Sequence, residues 1–157
     1  MTYLQFLLIV HVLGAIVGFG STFAFAVFPD RDQAERLDPG VRTTLADISF
    51  KVTSRYTIPV AFFIQPVTGA LMIFETGRNQ DFFSHTWLWV SVGLYLVLIG
   101  IFAFVAFPDT RHEYERTREE RTPDPTYRPR GNPNVYGPLL GILIVVIAIL
   151  MVWKPGD

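Results

Sequence analysis

The sequence predicts an all-α membrane protein: a four-helix transmembrane bundle made of two tandem helical hairpins. Half of the 157 residues are apolar, and they gather in four long runs that contain no Asp, Glu, Lys or Arg. A helix needs about 20 apolar residues to cross a hydrocarbon core of roughly 30 Å. The length of the runs, their lack of charge and a repeat described below together predict this class.

The four predicted helices occupy residues 3–28, 56–74, 87–107 and 135–153. The first begins in "MTYLQFLLIV", which has no basic residue and opens an apolar run longer than the roughly 7 to 15 residues of a signal peptide, so we expect a retained helix. Phe28-Pro29 and Phe107-Pro108 are expected to end helices 1 and 3, because proline lacks an N–H and restricts the residue before it.

The two long connections differ in character. The first has an apolar period at Val41, Leu45, Ile48 and Val52, which predicts an amphipathic helix leading into helix 2. The second begins with "TRHEYERTREERT", a charged helical extension, and continues with the proline-rich "TPDPTYRPRGNPN", which favours extended chain. Each connection is either a solvated link or a surface for a partner protein.

The basic residues predict the orientation. Both long connections are rich in arginine, and only Arg78 and Lys154 lie elsewhere. The positive-inside rule therefore places both connections in the cytoplasm and both termini outside. We expect a multi-pass protein of the plasma membrane of a bacterium, in contact with the lipid bilayer and not with nucleic acid, as a homodimer or within a larger membrane complex.

The two halves of the chain repeat each other. "FAFAVFPDRD" at 23–32 resembles "FAFVAFPDTR" at 102–111, and at the same offset Gly14 aligns with Gly93 and Pro59 with Pro138. Apolar helices match by composition alone, so the aligned prolines and glycines are the informative positions. We interpret residues 1–78 and 80–157 as two parallel repeats of one helical hairpin within a single domain.

Small and polar residues mark the predicted interior of the bundle. Helix 1 carries one stripe and helix 2 another: His11, Gly14, Gly18, Ser21, Phe25; and Gln65, Gly69, Met72, Thr76. Such residues let helices approach closely and hydrogen-bond in lipid. At 1.5 Å per residue, His11 lies about 12 Å and Gln65 about 16 Å from the outer ends of their helices, which predicts contact between them.

The second repeat has lost this polarity, because Val90 and Ile144 stand at the positions equivalent to His11 and Gln65. An ionisable residue at membrane depth is a functional hypothesis in its own right. One interpretation is a packing hydrogen bond from a neutral His11 to Gln65 or to a backbone carbonyl.

A second interpretation is that His11 ligates haem iron, with Gly14 and Gly18 making room for the macrocycle and Gln65 beside it. His85 is expected at the outer rim and His112 on the cytoplasmic side, so neither reaches the level of His11. The iron would then have one protein ligand, or its second ligand would be Met72 or His11 of a second subunit. A zinc or copper site of His11 and His85, with Glu75 or Asp81, is a third interpretation. A proton relay would need Asp or Glu at depth, and the predicted helices contain none.

The segment "YLQFLLIVHVLGAIVGFGSTF", with an early histidine before Leu-Gly-Ala, and the "TGALMIFETG" ending of helix 2 resemble the bacterial family of predicted integral membrane proteins known as domain of unknown function 2269. More remotely, the chain is similar to copper-resistance D-type membrane domains and to the membrane protoporphyrinogen oxidase. That similarity implies haem binding by His11. The oxidase pattern has Trp after its histidine, which the first helix here lacks, and a later basic residue, whereas no predicted helix here contains Lys, so the resemblance does not imply oxidase activity.

Two classes of function follow. The first is a non-enzymatic membrane subunit or scaffold, in which Gly14, Gly18, Gly137 and Gly141 serve close helix packing. The second is a haem-binding redox protein with His11 as axial ligand. The absence of cysteine excludes thiolate ligands, disulfides and cysteine nucleophiles from either class, and no pair of titratable groups at depth points to an enzyme.

Overall fold

The computed structural model describes residues 2–25, 36–118 and 130–155, and within these ranges the chain is helical and has no strand. Four helices are long and apolar enough to cross a membrane: Tyr3–Gly20, Pro39–Glu75, Thr86–Thr117 and Val135–Trp153. The all-α class and the four membrane-spanning helices are thus confirmed. The internal repeat and the orientation of the termini stay predictions.

Six α-helical segments make up these spans. They are α1 (Tyr3–Phe25), α2 (Pro39–Val52), α3 (Gln65–Glu75), α4 (Thr86–Ile101), α5 (Phe107–Arg118) and α6 (Pro133–Trp153). The π-helical turns Thr53–Thr57 and Val60–Ile64 join α2 to α3, and a third at Phe102–Ala106 joins α4 to α5. Residues 39–75 therefore form one long helix and residues 86–118 another, linked by a turn that includes the 3-10 segment Phe82–Ser84.

The predicted end of helix 3 at Phe107-Pro108 is wrong, because the helix continues without a break to Arg118. The helix predicted at 56–74 also starts earlier, at Pro39, where the Asp38 carboxylate accepts a hydrogen bond from Gly40 N at 2.8 Å. Asp before Pro is a strong start signal, since the side chain satisfies a free N–H and proline needs no partner there. The first Phe-Pro-Asp, at residues 28–30, lies outside the described residues.

Proline explains the π-helical turns. Each of the three ends two residues before a proline, and its wide hydrogen bond runs from Ile58 N to Thr53 O, from Gln65 N to Val60 O, or from Phe107 N to Phe102 O. A proline ring inside an α-helix clashes with the carbonyl four residues earlier. Widening the turn by one residue moves that carbonyl aside, so the helix passes through Pro59 and Pro66, and also through Pro108, where a helix end was predicted.

The four long helices pack in a ring. α1 packs against the helix of residues 39–75 and against α6, α6 packs against α4, and α2 packs against α5. The core between them contains Phe19, Val60, Ala61, Leu98, Ala106, Leu140 and Ile147. Much of the outer surface is large and apolar, including Ile16, Phe63, Leu96 and Val152, as expected for a face that contacts lipid.

Beyond the apolar spans, α2 and α5 continue side by side as a charged extension. Arg42 donates to Glu113 Oε1 from Nη2 at 2.8 Å, and the rings of Phe50 and Tyr114 stack with centroids 4.3 Å apart. The amphipathic helix predicted in the first connection is confirmed over 39–52, and the charged extension predicted over 110–122 is confirmed over 110–118. Residues 119–129, which hold the rest of that extension and most of the proline-rich segment, lie outside the described residues. The apolar period of α2 is only partly covered, since Val41 and Ile48 remain exposed whereas Leu45 and Val52 are half-buried.

Candidate functional site

His11 faces α3 from the middle of α1, and its ring is held by a threonine. Nδ1 of His11 lies 2.8 Å from Oγ1 of Thr68, and that oxygen also lies 2.6 Å from the carbonyl oxygen of Ile64. A hydroxyl has one proton, and the carbonyl can only accept, so Thr68 donates to Ile64 and accepts from Nδ1–H of His11. His11 is then the Nδ1–H tautomer, and its Nε2 carries the lone pair.

The predicted contact between Gln65 and His11 exists, but it is made by the backbone of His11. Nε2 of Gln65 donates to the His11 carbonyl oxygen at 2.7 Å, and the Gln65 side chain is buried. A carbonyl has a second lone pair beyond its helical bond, so this contact costs α1 nothing. Gln65 and Thr68 therefore bind the backbone and the ring of one residue, and we call His11, Gln65 and Thr68 the polar cluster.

Side chains of the facing helix fill the space beside the two glycines that follow His11 on α1. A Cβ at Gly14 would lie 3.1 Å from Ile64 Cγ2, and one at Gly18 would lie 2.4 Å from Val60 Cγ1. Close approach of α1 to residues 60–65 thus depends on glycine at position 18, whereas a Cβ at position 14 would make Ile64 give by a few tenths of an ångström. Val60, Ile64 and Gln65 occupy the space in which a macrocycle between these helices would have to fit.

The other candidate ligands are distributed over separate elements. Met72 is half-buried on α3, His85 precedes α4, and His112 lies in α5. Among the described residues, no group of three or more His, Asp or Glu side chains is placed to hold a metal ion. Of the predicted site residues, Gln65 contacts His11, and Gly14 and Gly18 follow His11 on α1. Thr68, which was not predicted, also contacts His11.

The glycines of the last helix have different surroundings. Gly137 and Gly141 line an open apolar groove of about 290 Å³ together with Thr22, Phe23 and Pro138. A Cβ at Gly137 would meet no atom within 4 Å in the described part of the chain, whereas one at Gly141 would lie 3.6 Å from Phe23 Cε1. Close packing within one chain is thus seen at Gly14 and Gly18 and not at Gly137.

Sequence reasoning missed two polar contacts at depth. Thr68 lies three residues after Gln65, on the same side of the helix, and this spacing was the available signal. Tyr95 of α4 donates its hydroxyl proton to the carbonyl oxygen of Ala61. The N–H that would bond Ala61 in the widened turn belongs to residue 66, which is proline, so the tyrosine takes the place of a missing backbone donor.

A comparison with protein families matches residues 5–155 to a family described as a predicted integral membrane protein, DUF2269. The chain belongs to this family. Membership in DUF2269 agrees with the four apolar helices and covers both halves of the chain, including the polar cluster. No curated protein and no solved structure matches the chain.

Proposed function

We propose that this integral membrane protein is a non-enzymatic subunit or scaffold of a membrane assembly, and that the polar cluster serves to lock α1 onto α3. The main observation in support is that the polar groups of the cluster form hydrogen bonds with one another or with the backbone. Gln65 binds the His11 carbonyl, His11 binds Thr68, and Thr68 binds the Ile64 carbonyl. Such bonds hold helices together in lipid, each contributing about 0.6 to 2 kcal/mol.

Crosslinking in the native membrane tests the subunit role. A photoreactive amino acid is placed at Val41, which is exposed on α2; its reaction needs neither a lysine nor a carboxylate on the partner. It is expected to give crosslinked products heavier than the 17.8 kDa chain. The same crosslinker at lipid-facing Phe63, which is 66% exposed, serves as the control for random encounters. Only uncrosslinked chain at both positions would contradict the subunit proposal.

A haem-binding redox protein is the second candidate, and the hydrogen bond at Nδ1 favours it. Histidines that bind a metal usually donate their other ring N–H to an acceptor that fixes the ring, and Thr68 does this for His11. His11 would hold the iron through Nε2, and the bound haem would supply one-electron chemistry. Since side chains fill the space at Gly14 and Gly18, the macrocycle would approach from outside the α1–α3 contact or lie between two copies.

An absorption spectrum separates the two candidates. The detergent-purified chain, expressed with haem precursor, is compared in oxidised and dithionite-reduced forms with His11→Gln. A Soret band that shifts on reduction and disappears in the variant supports the redox role. A flat visible spectrum for the unchanged chain contradicts haem binding and leaves the packing role of His11.

A further inference from the structure

Two cations surround one buried tryptophan at the end of the bundle opposite the charged extension. Trp87, in the first turn of α4, is 6% exposed. Cζ of Arg78 lies 5.4 Å from the centroid of its ring, and Nζ of Lys154 lies 5.7 Å from it. Arg78 and Lys154 are also the only basic residues outside the two long connections. The two positive charges of this end thus converge on a single side chain, although they come from different elements.

The indole N–H of Trp87 is buried, and no hydrogen-bond partner for it is found in the described part of the chain. Leaving a buried donor without a partner costs about 1 to 3 kcal/mol, and native proteins rarely accept this cost. A buried, unsatisfied donor beside two cations points to an acceptor that carries negative charge.

The start of α4 adds to the positive potential. No side chain of a described residue caps the helix at His85, and α4 extends over 16 residues from Thr86. The first N–H groups of a helix lack internal partners and act as a partial positive charge. Lys154 forms no ion pair with any residue in the described ranges. The two basic side chains, the unsatisfied indole N–H and the N-terminus of α4 therefore all favour a bound anion at this end.

The depth of the site indicates which anion it meets. Trp87 stands where the apolar span of α4 begins, and Lys154 directly follows Trp153, the last residue of α6. Trp and basic side chains at the ends of membrane spans lie at the level of the lipid headgroups. The phosphate of phospholipids is the most abundant anion in that layer, and a guanidinium matches its oxygens with paired hydrogen bonds.

We propose that Arg78, Lys154 and the indole N–H of Trp87 form a binding site for the phosphate group of a phospholipid headgroup. The guanidinium and the ammonium neutralise the phosphate, and the indole N–H donates to one of its oxygens. This site is separate from the polar cluster, and it does not depend on whether His11 packs or binds haem.

Native mass spectrometry of the detergent-purified full chain tests the site, with dioleoyl phosphatidylglycerol as the probe. Arg78→Gln/Lys154→Gln is expected to weaken binding about thirtyfold, because each basic residue near a membrane surface contributes a little over a factor of five. Trp87→Phe keeps the ring and removes the N–H, and we expect about tenfold weaker binding. The matched control Lys51→Gln/Arg111→Gln removes the same charge from exposed positions at the other end.

Three results would overturn the proposal. The first is unchanged lipid affinity in Arg78→Gln/Lys154→Gln, and the second is an equal loss in the control variant. The third is displacement of the lipid by inorganic phosphate at similar concentration, which would make the site one for a soluble anion. Circular dichroism and gel filtration verify the fold of each variant. If Trp87→Phe does not fold, the charge variants alone decide the outcome.

Discussion

The contact between α1 and the helix of residues 39–75 depends on single atoms. One is the Thr68 hydroxyl, which receives the His11 ring, and another is the absent side chain of Gly18, which allows Val60 to reach the α1 backbone. In lipid, helix association gains little from apolar burial, so hydrogen bonds and close packing carry most of the free energy. Substitutions at these positions should therefore be measurable even though each changes few atoms.

Thr68→Val is expected to lower the free energy of unfolding by about 1 kcal/mol, because it removes the acceptor for Nδ1–H of His11. Thr76→Val, at the residue that directly follows α3, is the control, since Thr76 is exposed and its hydroxyl bonds only backbone carbonyls of α3. An SDS titration in mixed micelles followed by circular dichroism measures both. Equal losses in the two variants would contradict a specific role of the His11–Thr68 bond.

Gly18→Ala is expected to destabilise the protein by about 1 to 3 kcal/mol, as overpacking does, since the new Cβ would lie 2.5 Å from Val60 Cβ. Gly20→Ala provides the matched control, because a Cβ there meets nothing within 4 Å in the described structure and alanine favours the helix. The same unfolding titration compares them. Val60→Gly should recover part of the loss at Gly18, and a lack of recovery would show that the clash lies elsewhere.

At the level of elements, proline sets the shape of the two longest helices. The widened turns before Pro59, Pro66 and Pro108 keep each helix continuous through residues that would otherwise end it. The cost is a carbonyl without its helical donor. Ala61 is 1% exposed, and the hydroxyl of Tyr95 on the neighbouring helix donates the missing hydrogen bond to its carbonyl oxygen. A local irregularity in one helix thereby becomes a specific contact between two.

A double-mutant cycle tests this compensation. Tyr95→Phe should cost about 1 to 2 kcal/mol of unfolding free energy, because it leaves a buried carbonyl unsatisfied. In a Pro66→Ala background the cost should be smaller, since residue 66 then has an N–H that can reach the Ala61 carbonyl in the widened turn. Exposed Tyr3 offers the control Tyr3→Phe. Identical costs of Tyr95→Phe in both backgrounds would contradict the compensation.

At the level of the whole molecule, charge is distributed unevenly between the two ends. The extension formed by α2 and α5 carries the Arg42–Glu113 and Arg116–Glu113 ion pairs, whereas Arg78 and Lys154 are the basic residues of the other end. The Arg42 and Arg116 side chains are only 24% and 14% exposed, and ion pairs at a protein surface contribute about 0 to 1 kcal/mol to stability. The arginines of the extension also predict its orientation, because arginine next to a span favours the cytoplasmic side.

Cysteine labelling tests the predicted orientation, and the natural sequence has no cysteine to interfere. In intact cells, Thr2→Cys should react with a membrane-impermeant maleimide, whereas Thr44→Cys, exposed on α2, should react only after permeabilisation. The two variants are controls for each other. The reverse pattern would place the extension outside and contradict the assignment from the arginines.

The sequence by itself determined the number of spans, the helical class and that His11 and Gln65 come into contact, because apolar length and the position of polar residues within it are local properties. The tertiary structure decided that Gln65 binds the His11 backbone and that Thr68 binds its ring. It also decided that the helix runs through Phe107-Pro108 and that the Val41 and Ile48 face stays exposed. These results depend on which face each helix turns to its neighbour and on how a proline turn is widened, and neither is encoded in the spacing of residues within one segment.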